Sequence, residues 1–119
     1  MGLSVVVLEG DPKVARSLAG GLRSHFHDVH LTRSRDELRE QVVKAQPQAV
    51  VLDIESSHPG DVQKLHDDFP ALPIVCTHRI PNEEMWTAAL DAGAADVCAS
   101  DDVNDVLTSV LRNMARNAA

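Results

Sequence analysis

The chain contains no tyrosine, and its aromatic residues are limited to Phe26, Phe69 and Trp86. Any role that needs a phenol is thereby excluded. Cysteine is equally sparse: Cys76 and Cys98 stand alone in a chain that is 44% hydrophobic and can build its own core. That usage points to a reducing, cytoplasmic setting with buried free thiols, not to a disulfide scaffold. Positive charge is in deficit, with a net charge of −7, and forms no stripe. The densest basic group, Arg33, Arg35 and Arg39, is interleaved with Asp36, Glu37 and Glu40, the pattern of a solvated helix face. A nucleic-acid backbone or an anionic membrane surface is therefore not an expected partner. No apolar run approaches a membrane span, and Met1-Gly2-Leu3 leads directly into a strand, so no signal peptide is expected. Internal repeats, low-complexity tracts and linkers are absent. The 119 residues suit one domain, 1–119, with one core.

Against these absences stand two short apolar runs that each end on a carboxylate, Ser4-Val5-Val6-Val7-Leu8-Glu9 and Ala49-Val50-Val51-Leu52-Asp53. Continuous β-branched runs of this length read as strands buried on both faces, the signature of a parallel sheet. Function in such sheets gathers at the carboxyl ends of the strands. The pattern therefore places Glu9 and Asp53 side by side at the functional edge of a small α/β domain.

Strands and helices alternate throughout. Asp11-Pro12 offers an N-cap carboxylate with proline at the first helical position, and Val14, Leu18 and Leu22 make one stripe of the helix that follows. A short strand spans about 28–32. Ser34 with Glu37 three residues on has capping-box spacing for a second helix, whose apolar face is Leu38, Val42 and Val43. The segment 54–60 reads as a loop, followed by a short helix with Val62, Leu65 and Phe69. Residues 73–77 predict a fourth strand, Asn82 the cap of a fourth helix ending at Gly93, and 95–99 a fifth strand. The last helix carries Val103, Val106, Leu107, Val110, Leu111 and Met114. Five strands alternating with five helices predict a doubly wound sheet.

Four segments, in order, resemble the receiver domain of two-component response regulators: Val7-Leu8-Glu9-Gly10-Asp11-Pro12, Val50-Val51-Leu52-Asp53-Ile54, Leu72-Pro73-Ile74-Val75 and Ala89-Leu90-Asp91-Ala92-Gly93-Ala94-Ala95-Asp96-Val97. The likeness covers nearly the whole chain. It implies a flavodoxin-like (βα)5 fold with parallel strand order 2-1-3-4-5 and a phosphoacceptor position at Asp53. It also implies Mg²⁺ held by Asp53 and an acidic pair after the first strand, a hydroxyl ending the fourth strand and a lysine ending the fifth. Together these would neutralise and bind the transferred phosphoryl group.

Most of those parts are altered. The acidic pair reads Glu9-Gly10, and Asp11, the next carboxylate, is wanted as a helix cap. Ser100 stands at the lysine position, followed by Asp101 and Asp102. Counting from Pro73 and from Gly93 puts His78 at the hydroxyl position and Thr77 one residue early, turned to the other face. Val97 replaces the switch aromatic, and Ser57 stands where the family has proline. The expectation is an atypical receiver, not an enzyme, that acts through contact with a protein partner: a histidine kinase, an output protein or domain, or a second copy through the face of fourth helix, fifth strand and fifth helix.

Two alternatives stay open: a working switch in which Glu9, Asp11 and Asp53 bind Mg²⁺, and a small phosphatase-type enzyme suggested by Asp53-Ile54-Glu55. Other residues carry paired readings. His78 either turns inward as the counter-charge to Asp53 and Glu9 or swings into solvent, leaving Ser100 beside Asp53. Trp86 either fills core or anchors a partner. His25, His27 and His30 either form a metal site or lie apart, and Cys76 and Cys98 are either free or bridged.

Overall fold

The computed structural model describes residues 3–117. Among these, five strands alternate with five helices: β1 (Ser4–Leu8), α1 (Pro12–Leu22), β2 (Asp28–Thr32), α2 (Arg35–Ala45), β3 (Ala49–Asp53), α3 (Pro59–Asp68), β4 (Ile74–His78), α4 (Glu83–Asp91), β5 (Asp96–Ala99) and α5 (Val103–Asn117). The strands form a parallel sheet in the order β2-β1-β3-β4-β5. This is the flavodoxin-like arrangement the alternation predicts. No described helix is long and apolar enough to cross a membrane.

Every residue of β1 and β3 is buried, because helices cover both faces of these inner strands. Side chains alternate between the faces. Val5, Val7, Val51 and Val75 pack with Leu18 and Leu22 of α1 and Val106 and Val110 of α5. Val6, Leu8, Val50, Leu52, Ile74 and Cys76 pack with residues of α2, α3 and α4. Cys76 and Cys98 thus lie on opposite faces of the sheet, which is why both remain free thiols. Burial, with smaller contributions from nearby carboxylates, pushes each thiol up to about 12.

Local chemistry sets the ends of the helices. Asp11 accepts from Lys13 N at 2.9 Å, Ser34 from Glu37 N at 3.1 Å and Asn82 from Met85 N at 2.9 Å. Helix α3 begins inside the stretch expected to be loop, because His58 caps it: its Nδ1 accepts from Gly60 N, and Asp61 accepts from His58 N. Strand β4 runs one residue further than expected, through His78, because that residue still pairs with Ala99 of β5. Helix α4 stops where Gly93 takes a φ of +112°, and a Cβ there would lie 2.5 Å from the His66 ring.

Candidate functional site

The carboxyl edge of the sheet brings Glu9, Gly10, Asp11 and Asp53 together, as the strand-end reading predicts. Asp53 is the last residue of β3 and only 3% exposed. Its carboxylate is held by the loop that follows: Oδ1 accepts from Glu55 N at 2.9 Å, and Oδ2 from the Ser56 hydroxyl at 2.6 Å. The Ser57 hydroxyl donates to the Asp53 carbonyl at 2.6 Å. Glu9 is half-buried against Asp53. Burial first, then hydrogen bonding to Asp53 and the charge there, raise its carboxyl to about 7. Glu9 also accepts from Asp11 N at 3.1 Å.

Ser56 is the residue that sequence reasoning missed. A Cβ built on Gly10 would fall 2.4 Å from Ser56 Oγ and 4.0 Å from Asp53 Oδ2. The serine hydroxyl therefore occupies the space that a side chain at position 10 would need, and it makes there the hydrogen bond that Asp53 requires. Its signal was the spacing, a hydroxyl three residues after a strand-end aspartate, which permits a local side-chain turn. In this arrangement the donor set is a poor one for a divalent ion. Asp11 is committed to the α1 cap, Gly10 offers no ligand, and both Asp53 oxygens already accept from the chain. Among the described residues no group of three or more His, Cys, Asp or Glu side chains is arranged to hold a metal, which covers His25, His27 and His30 as well.

The inward placement of His78 is corrected. Its Nδ1 accepts from Ile80 N at 3.0 Å and lies 3.6 Å from Glu55 Oε1, so the side chain serves the β4–α4 turn and faces Glu55. The alternation that puts Cys76 on the α2–α4 face puts His78 there too. Glu55, read in the sequence only as part of Asp53-Ile54-Glu55, ties the two loops together by accepting from Arg79 N at 2.6 Å and from Arg79 Nε at 3.1 Å.

Thr77 is the second correction. It was expected to turn away from Asp53, but the two are register partners, and Val51 and Val75, two residues back, share one face. Thr77 and Asp53 therefore lie on the same side of the sheet, toward α1 and α5. Ser100 follows directly on β5, with its N–H donating to the His78 carbonyl at 3.0 Å. Thr77 and Ser100 are 0% and 2% exposed, and neither hydroxyl has a hydrogen-bond partner among the described residues.

Response regulators are among the solved structures that share this fold. A putative response regulator from Chloroflexus aurantiacus superposes with a TM-score of 0.86 at 21% identity, covering 98% of this chain and 100% of that one. The chain has the receiver fold. A structure described as an atypical orphan response regulator with a phosphorylation-independent regulatory mechanism gives 0.84 at 13% identity, over 95% of this chain and 96% of that one. NtrX from Brucella abortus gives 0.88 at 19% identity over 99% of this chain, which spans 28% of that chain's length. No protein-family model and no curated protein matches.

Within the receiver fold, Val97 is half-buried and packs against the α2–α4 side of the core. Trp86 is 47% exposed, while Ala89 on the same helix and Ala92 at its C-cap are buried. Leu90, one turn further along α4, is exposed beside it. Trp86 thus lies on the surface and does not fill the core.

Proposed function

We propose that this protein is a cytoplasmic signal-transduction module of the two-component type that works through protein contact, with Asp53 unmodified. The observation that carries the reading is the Ser56 hydroxyl on Asp53 Oδ2, seated where a side chain at position 10 would stand. Phosphoryl transfer depends on positioning and on stabilising charge, and here the would-be acceptor is held by Glu55 N and Ser56 while Glu9 crowds it. Each missing stabilising donor typically lowers the rate by a factor of about 10²–10³. With Ser100 in the lysine position and Gly10 in an acid position, transfer at a useful rate is not expected. The partner is a histidine kinase or an output protein. Trp86 with Leu90 supplies a contact on the α4–β5–α5 side, where a second copy could also dock. The atypical orphan response regulator of the same fold supports a mode without phosphorylation.

The second reading, a Mg²⁺-dependent phosphoacceptor, is favoured by one observation: the buried hydroxyls of Thr77, on the Asp53 side of the sheet, and of Ser100, just past β5, are unpartnered among the described residues. A phosphoryl group on Asp53 is one acceptor they would suit. Incubation with acetyl phosphate or a beryllofluoride mixture plus Mg²⁺, read by intact mass and NMR, separates the two. Stoichiometric, Mg²⁺-dependent modification that disappears in Asp53→Asn would replace the contact reading with the switch. Steady turnover of phosphoesters would instead indicate a phosphatase.

A further inference from the structure

Two imidazoles at the carboxyl edge act as acceptors for backbone N–H groups. His78 Nδ1 accepts from Ile80 N at 3.0 Å, and His58 Nδ1 accepts from Gly60 N at 3.2 Å. A backbone N–H can only donate, so both Nδ1 atoms are necessarily unprotonated in these bonds. An asparagine or serine would hold such a turn at any ordinary pH; an imidazole gains its proton between about pH 5 and 8 and then cannot accept.

What awaits the proton differs at the two sites. His58 stands at the N-terminus of α3, where positive charge opposes the helix dipole, and the carboxylate facing it, Asp61, is already bound to Arg35 at 2.7 Å. His78 has a ready acceptor, Glu55 Oε1 at 3.6 Å. That carboxylate is shared with Arg79, from both its backbone N and its Nε. Glu55 is also the residue whose own N–H occupies Asp53 Oδ1. Asp53, one register position back on β3, lies on the other side of the sheet, and Asp101 and Asp102 follow Ala99, the register partner of His78 on β5.

We propose that His78 is a proton-operated latch between the two loops of the carboxyl edge. Neutral His78 holds the β4–α4 turn through Ile80. The imidazolium releases Ile80 N, turns onto Glu55 in competition with Arg79, and draws on the residue that caps Asp53. Ile80 is 78% exposed and precedes the Asn82 cap of the helix that carries Trp86, so its presentation to a partner becomes pH-dependent. The latch acts on the pocket described above but does not depend on whether Asp53 is ever phosphorylated.

An NMR titration of the intact chain from pH 8 to 5, following the imidazole ring protons and the backbone amides, tests it. The Ile80 amide is expected to move with the same midpoint as the His78 ring and to be accompanied by the Glu55 and Arg79 amides. In His78→Asn, whose side-chain oxygen accepts without titrating, Ile80 keeps a bonded-amide shift at every pH. In Glu9→Gln the Ile80 titration persists, which separates it from the Glu9 carboxyl in the same range. An Ile80 amide that stays fixed while His78 titrates, or one that still titrates in His78→Asn, overturns the latch. Neither outcome bears on the acetyl phosphate experiment, so the two readings fail separately.

Discussion

Asp53 has both carboxylate oxygens satisfied by its own loop, and Ser56 supplies the shorter of the two bonds. Removing that hydroxyl takes away the Ser56 donor to Oδ2, so Ser56→Ala should lose about 1–2 kcal/mol in denaturant unfolding. Restoring the altered positions together is the sharper experiment. Gly10→Asp alone meets Ser56 Oγ, but Gly10→Asp with Ser56→Ala and Ser100→Lys removes the obstruction and returns an acid and a cation to the edge. This triple variant should gain Mg²⁺-dependent labelling of Asp53 by acetyl phosphate, read as a mass increment the parent chain does not show.

Glu9 gives a pH prediction of definite sign. Its carboxyl is raised to about 7, chiefly by burial, so folding favours the protonated form. The stabilisation is present in full below the unfolded carboxyl value of about 4.3 and is lost as pH rises toward 7. Unfolding free energy should therefore fall across that interval, all else equal, and Glu9→Gln should flatten the fall and be the more stable protein at pH 8. A steeper decline in the variant would contradict this electrostatic account.

Helix ends decide how the elements meet the edge. Asn82 satisfies Met85 N at the start of α4, and Asn82→Ala should cost about 1 kcal/mol. At the other end Gly93 combines a φ of +112° with His66 lying where a Cβ would sit. Gly93→Ala should therefore destabilise the protein by about 2 kcal/mol or more, through backbone strain and overlap together. Thermal unfolding of both variants, followed by circular dichroism, measures the difference. The caps at Asp11, Ser34 and Asn82 were legible in the chain because capping is a matter of residue type and spacing over three or four positions. The His58 cap was not, since histidine is an unusual N-cap and nothing local distinguishes it from a loop residue.

For the molecule as a whole, the lone tryptophan is a natural probe. Trp86 lies half out of the fold, so Trp86→Ala should change stability by no more than about 0.5 kcal/mol. Its fluorescence should be readily quenched by acrylamide in the free protein and protected when a partner or a second copy covers α4. If Trp86→Ala leaves concentration-dependent association and partner binding unchanged, α4 is not the contact face.

The strand-helix alternation, the parallel sheet and its order, and the meeting of Glu9 with Asp53 were all readable from the chain alone. The strand order came with the resemblance to receiver domains; the rest follows from short-range patterning: buried β-branched runs, caps at fixed spacing, and carboxylates that end strands. What the chain alone misassigned lies where two separate strands or loops meet. The side of the sheet that Thr77 shares with Asp53 depends on the β3–β4 register, and the direction of His78 depends on a turn bond to Ile80 and on Glu55 arriving from another loop. The filling of the Gly10 space by Ser56 is likewise a contact between residues 46 positions apart, which no local pattern encodes. Residue type and spacing determined the scaffold and put the Ser56 hydroxyl within a local turn of Asp53; only packing between distant segments decided that this hydroxyl fills the Gly10 space and which faces Thr77 and His78 take, because contacts across strands and loops are set by register and burial and not by proximity along the chain.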